Sequence, residues 1–406
     1  MASVVFYPPQ SHRLRDAARL IGWIALSLLM VPVSVVFPII ATVSVVLLIG
    51  FSFRSSAVTT GTAIIVVLGI FGWMNSGKAP SGDWGWYTQH FLLLQRLDFS
   101  QYLGQRIGPF TIKSTEPVYY FIASLIARAS DGSIPALAWG ISALIYIPLG
   151  VSVGLIATRM VKVPLHVGIA TLIALMVGVT FTLTTQLVRQ EVAGALLVLG
   201  FVLFYVGNRI IGVLLASLAV LTHNSALVPF AAVIAAFWFA IKDGQISWGK
   251  VVMLWCAFVA LGGAYLLGPG ANYYQSEDPA GEISLAVILT DIAILSIFLF
   301  VRKHLDEPKR FLNILAAAAI IYSGFLIGMS LAPLPFLRMY FYVELFRTLM
   351  VGAIVCALLR FRYGTLLAVP MLLTAIIYVE MRIRVSPFWY GGGLVAHLLR
   401  PFAFFN

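Results

Sequence analysis

From Leu20 to Glu380 the chain is a succession of apolar runs, each near the ~20 residues a helix needs to cross a bilayer core about 30 Å thick. Backbone inside hydrocarbon must satisfy its own hydrogen bonds, so such a chain is restricted to helices or a closed β-barrel. A transmembrane strand alternates apolar and polar residues, whereas 64–71 and 193–202 are continuously apolar. Only 10% of the residues are charged, against about 25% in a soluble domain. The expected fold class is an all-α polytopic membrane protein, with 1–406 forming a single integral membrane domain.

The runs 20–37, 38–53, 57–74, 134–157, 165–181, 192–206, 210–221, 226–241, 251–267, 283–301, 311–331, 345–359 and 366–379 read as spans, about thirteen with a range of about 11–14. Arg13, Arg15 and Arg19 before the first run resemble the start of a signal peptide. No small-residue cleavage site follows, so that run reads as a retained helix. The longest polar region is 75–133; within it 117–129 is apolar but too short to cross, which suits a re-entrant or interfacial helix. A second loop is expected at 268–282. An aromatic, glycine-rich tail, 386–406, is expected at an interface. Cys256 and Cys356 fall inside spans and read as small buried hydrophobes, with no disulfide or metal-ligand spacing.

The net charge of +11 raises a nucleic-acid partner, but the charges are scattered among loops, and membrane topology explains them better. With the N-terminus in the cytoplasm, most of the 26 basic residues fall on the cytoplasmic side, including Arg54, Arg159, Lys162, Arg209 and the cluster from Arg302 to Arg310. Counting 117–129 as a span would invert everything after it. The outer side then gathers Asp83, Glu116, Arg189, Glu191, His223, Arg338, Tyr340, Glu344 and Arg347. The run 210–221 rises only about 18 Å, so His223 is expected in a recess. An outward cavity lined by Arg189, Arg338, Arg347 and His223 suits an anionic ligand, because guanidinium forks match phosphate oxygens.

Each of these residues has a plainer reading. Arg189 can pair with Glu191 or snorkel at a helix end. His223-Asn224 can cap a helix. Glu344 and Arg347, at i, i+3, can bridge only each other. Asp83 with Trp84, Trp86 and Tyr87 can be an interfacial aromatic belt or a platform on which sugars stack. Convergence on one face is what favours the functional reading.

Five pieces, in order, resemble a known family: Asp83-Trp84-Gly85-Trp86-Tyr87, Glu116-Pro117-Val118-Tyr119-Tyr120, Gln186-Leu187-Val188-Arg189-Gln190-Glu191, Leu221-Thr222-His223-Asn224-Ser225-Ala226 and Leu337-Arg338-Met339-Tyr340-Phe341. The order is similar to that of EpsG/Wzy-type polysaccharide polymerases of bacterial inner membranes, over roughly 82–347. In the family a tyrosine usually follows the loop aspartate closely; here tryptophans intervene. The resemblance implies a GT-C-like glycosyltransferase architecture and a periplasmic active site that joins oligosaccharide units carried on undecaprenyl diphosphate. It implies lipid-linked oligosaccharide and membrane lipid as partners, a chain-length regulator protein as a further partner class, and no nucleic acid or cofactor. Such chemistry needs a base for the acceptor hydroxyl, for which His223 is ranked first and Asp83 and Glu116 follow. It also needs cations for the leaving diphosphate, for which Arg189, Arg338 and Arg347 are the candidates. Trp84, Trp86, Tyr87 and Tyr340 are the candidate sugar contacts. Rival readings are a single-transfer glycosyltransferase or polysaccharide ligase, a lipid-linked oligosaccharide flippase, and a membrane O-acyltransferase.

Overall fold

The computed structural model describes residues 38–104, 116–266, 285–305, 308–361, 363–386 and 392–400. The expected span 20–37, the loop 268–282 and much of the tail 386–406 lie outside the described residues. The helices are α1 (Pro38–Ser52), α2 (Ser56–Ser76), α3 (Asp83–Arg96), α4 (Phe99–Gly104), α5 (Pro117–Ala129), α6 (Ile134–Met160), α7 (Pro164–Gly178), α8 (Val188–Tyr205), α9 (Arg209–Thr222), α10 (Leu227–Ala235), α11 (Trp248–Leu266), α12 (Leu285–Val301), α13 (Lys309–Met329), α14 (Pro333–Tyr340), α15 (Val343–Leu359), α16 (Gly364–Arg384) and α17 (Leu394–Leu398). Two two-residue strands, β1 (Ile241–Lys242) and β2 (Gln245–Ile246), pair antiparallel in a hairpin before α11. The chain is a polytopic helical membrane protein. Among the described residues eight helices are long and apolar enough to cross a bilayer, and five shorter apolar helices accompany them.

Local chemistry sets many of the starts. Proline occupies the first turn of α5, α6, α7 and α14, where its fixed φ suits a helix and its missing N–H leaves no bond unmade. Ser55 caps α2, its hydroxyl accepting from the Val58 N–H. Burial then separates the helices into two sets. Of the most apolar stretch of Pro335–Leu359, 78% lies inside the protein; for α11, α12 and α16 the shares are 17%, 11% and 22%. The last three therefore present apolar side chains to lipid, and the core lies among α2, α6, α7, α8, α13 and α15. Cys356 is buried as expected, but Cys256 is exposed, because it sits on the lipid-facing side of α11.

One helix pair fixes the geometry of the polar centre. α8 and α9 form a hairpin whose backbones touch at Gly200 and Gly212. A Cβ on Gly200 would stand 2.8 Å from the Gly212 carbonyl oxygen, so no larger residue fits there. Two helix starts and one unexpected helix differ from the sequence expectation. α8 begins at Val188, four residues before the apolar run, so Arg189 and Glu191 belong to its first turn. α15 likewise begins early, at Val343, and takes in Glu344 ahead of the expected run that already held Arg347. Within the polar region after α2, Asp83–Arg96 is a helix, its Trp84, Thr88, Phe91 and Leu94 recurring on one buried face.

Candidate active site

Glu116 immediately precedes α5 and is almost completely buried. Its two oxygens are shared by the neighbouring helices. Oε2 accepts from Nη1 of Arg189, in the first turn of α8, and Oε1 lies 2.7 Å from Nδ1 of His223, the residue that ends α9. Oε1 also accepts the Asn224 N–H at 3.1 Å. Burial pushes the Glu116 carboxyl up; the hydrogen bond and charge of His223, the Arg189 guanidinium and the Asn224 N–H outweigh it and hold the group below its ordinary value. An ionised carboxylate only accepts, so Nδ1 of His223 carries a proton and Nε2 keeps its lone pair whenever the ring is neutral. The imidazole is partly open, with 22% of the side chain exposed.

Arg189 is held on three sides. Its Nε donates to the Tyr87 hydroxyl at 3.4 Å, its Nη1 is bound to Glu116, and its Cζ lies 5.8 Å from the centroid of the Tyr120 ring. Among the described residues, Nη2 has no hydrogen-bond partner.

The polar stretch that opens α8 reaches three other segments. Gln186 Oε1 accepts the Asp83 N–H at 3.0 Å, and its Nε2 donates to the Ser81 carbonyl at 3.4 Å. Between them Gly82 has φ +54°, and a Cβ there would meet Gln186 Oε1 at 2.9 Å, so the turn into α3 requires glycine. Gln190 Nε2 donates to the Arg338 carbonyl. The Asp83 carboxyl is pushed above its ordinary value by burial, against the fields of Arg338 and Arg189. Asp83, Glu116, Arg189, His223 and Arg338 thus belong to one neighbourhood, with Tyr87 and the half-exposed Trp86 on α3 beside it.

Three expected ligand contacts are enclosed instead. Arg347 has 2% of its side chain exposed and donates to Asp291 (2.9 Å), Glu344 (3.0 Å), the Gly178 carbonyl (3.0 Å) and Thr180 Oγ1 (3.1 Å). Its fork is used within the protein, partly through the i, i+3 bridge to Glu344 that the plainer reading anticipated. Tyr340 is buried and its hydroxyl donates to Asp291. Trp84 is completely buried in the face α3 packs on the bundle, so neither ring face is open to a sugar. Glu191 does not pair with Arg189; it is buried and its Oε1 has no partner among the described residues.

Sequence reasoning missed Asp291, Gln186, Gln190, Tyr120 and Tyr342, whose hydroxyl lies 2.9 Å from Ser225 Oγ. Asp291 carried a legible signal, being the sole charge in the apolar stretch Leu285–Val301. The others are polar groups at helix ends, where nothing local distinguishes a contact from a cap. Among the described residues no group of three His, Cys, Asp or Glu side chains could hold a metal ion.

The arrangement offers an imidazole oriented by a carboxylate, a guanidinium with a free edge and a second arginine nearby. No curated protein and no solved structure matches the chain. A family model described as the EpsG family matches residues 58–392, which takes in all five motif pieces and every residue of the centre. The chain belongs to the EpsG family.

Proposed function

We propose that the protein polymerises oligosaccharide repeat units carried on a polyprenyl diphosphate, at the outer face of the membrane. Membership of the EpsG family supports a polysaccharide polymerase-like role. The observation that carries the mechanism is the Glu116 carboxylate shared between Arg189 and His223. In this reading an acceptor hydroxyl attacks the anomeric carbon of the donor sugar and loses its proton to His223 Nε2. A glycosidic C–O bond forms as the bond from the anomeric carbon to the diphosphate oxygen breaks, and the electron pair leaves on the diphosphate. Arg189, through its free Nη2, and Arg338 stabilise that developing charge. Glu116 fixes the tautomer and angle of His223 and so positions the base, a more specific role than serving as an alternative base itself. Trp86 is the open aromatic surface for a sugar, with the partly buried Tyr87 beside it; Trp84, Tyr340 and Arg347 have no ligand role in this reading.

The test is reconstitution of purified protein with a lipid-linked repeat unit and separation of products by length. A ladder from the native protein that disappears in Arg189→Ala and His223→Ala supports the reading. A single added unit from the native protein would instead identify a single-transfer enzyme or ligase, and an unchanged ladder in both variants would refute the site.

A further inference from the structure

Asp291 is the sole ionisable residue of α12, a helix otherwise built from apolar residues, serine and threonine and mostly exposed to lipid. A carboxylate at that depth is unfavourable unless it meets a partner. Arg347 is such a partner, but its charge already meets Glu344 at 3.0 Å. The contact that distinguishes Asp291 is its second oxygen, which accepts the Tyr340 hydroxyl.

Tyr340 is the last residue of α14, an eight-residue helix with Arg338 in its final turn. The last carbonyls of a helix have no partner within it. Here they are taken by side chains from other elements: the Arg338 carbonyl by Gln190 of α8, and the Met339 carbonyl by the buried Tyr322 hydroxyl of α13. With the tie from Tyr340 to Asp291, three consecutive residues are fastened to three different helices. The backbone that presents Arg338 towards Asp83 and Arg189 is therefore over-determined.

We propose that Asp291 is a positioning residue for the anion site: through Tyr340, and braced by Arg347, it fixes the end of α14 so that Arg338 is held where a diphosphate binds. The inference rests on the diphosphate reading above and adds to it a residue remote in sequence, on a lipid-facing helix. Arg347, enclosed as it is, acquires a role at second hand as the brace of Asp291.

The experiment measures binding of farnesyl diphosphate, a short polyprenyl diphosphate, to full-length protein in detergent, for the native chain and for Tyr340→Phe, Asp291→Asn, Arg338→Ala and the pairwise combinations with Arg338→Ala. Tyr340→Phe removes one hydroxyl and Asp291→Asn keeps the shape of the carboxyl. Each is expected to weaken binding about fivefold or more; Tyr340→Phe keeps Tm within about 2 °C of native, whereas Asp291→Asn also lowers Tm because it neutralises one side of a buried ion pair. Combined with Arg338→Ala, neither is expected to weaken binding further, because a positioning effect has nothing to act on once Arg338 is gone. Losses that simply add, or unchanged binding in both single variants, would overturn the proposal while leaving the diphosphate reading intact. A native protein that does not bind farnesyl diphosphate would overturn both.

Discussion

Replacing Glu116 by glutamine exchanges one oxygen for an amide nitrogen, and the local geometry leaves that nitrogen no good position. With the amide oxygen towards His223 and Asn224, the NH₂ faces Arg189 Nη1, donor against donor. Flipped, the NH₂ meets the Asn224 N–H and forces His223 Nδ1 to accept; the ring proton then moves to Nε2, which can no longer act as a base. Removing one partner of a buried ion pair is destabilising by about 3–5 kcal/mol. The retained hydrogen bonds and the partial exposure of Arg189 place Glu116→Gln near the lower end. A histidine held in the wrong tautomer loses about 10⁴-fold in rate in a hydrolytic triad, so the expected loss here is about 10²–10⁴-fold. Single-turnover extension of a lipid-linked repeat unit reports the rate, and thermal unfolding of the same sample reports stability. Rates within about threefold of native, in protein that unfolds normally, would show that the carboxylate does not orient the base.

Three further outcomes are expected. Arg347→Met leaves Asp291 and Glu344 without their common cation, and is expected to destabilise by about 3 kcal/mol or more; reduced Tm is the expected pattern, with diphosphate affinity in the surviving protein weakened as in Asp291→Asn because the brace is gone, and unchanged Tm would contradict the burial argument. Gly200→Val drives a branched side chain into the Gly212 backbone; splaying the α8–α9 hairpin should abolish activity and lower Tm, whereas Gly61→Ala, in open space on α2, should leave Tm close to native, and a reversed order would refute the close-contact account. Burial pulls the Lys78 ammonium down to about 8, and it donates to Thr185 Oγ1 at 2.7 Å. Its folded value lies below the unfolded ~10.4, so the unfolded chain binds this proton more tightly between the two, and the contribution of Lys78 to stability rises as pH increases across that window. Mass-spectrometric labelling with an acylating reagent should show the reactivity of Lys78 levelling off near pH 8; reactivity that keeps rising well above pH 8 would contradict the burial effect.

How much of this was legible beforehand differs by residue. The helical membrane class followed from run length and charge depletion alone, because a bilayer imposes one dominant constraint. The family resemblance and the match over residues 58–392 agree. Arg189, Glu116 and His223 were recognisable as interruptions of apolar sequence, and they do meet. Their pairing was not legible: Arg189 has Glu191 two residues away, but side chains at that spacing on a helix diverge, and the acid that reaches it is distant in sequence. Trp84 was misread because residue type gives composition, not facing; the periodicity of α3 turns Trp84 inward and Trp86 outward. Asp291 was passed over because it sits inside a run counted for its length.

The attachment of α3 has a consequence for how this family can diversify under the polymerase reading. The charged centre is mounted on the α8–α9 hairpin, while the half-exposed ring of Trp86 rides on a separate short helix whose start is pinned by the single side chain of Gln186 and whose Tyr87 holds Arg189. On the polymerase reading, the exposed face of α3 is therefore separable from the charged centre except at Tyr87, which holds Arg189. On that reading, exposed positions of α3 such as Trp86 are the ones to exchange for a different repeat unit while the glycine contact and the Glu116 bridge stay as they are. Grafting that face between related chains would then be expected to alter the product, with Gly82, Tyr87 and Gln186 as the fixed points of the graft.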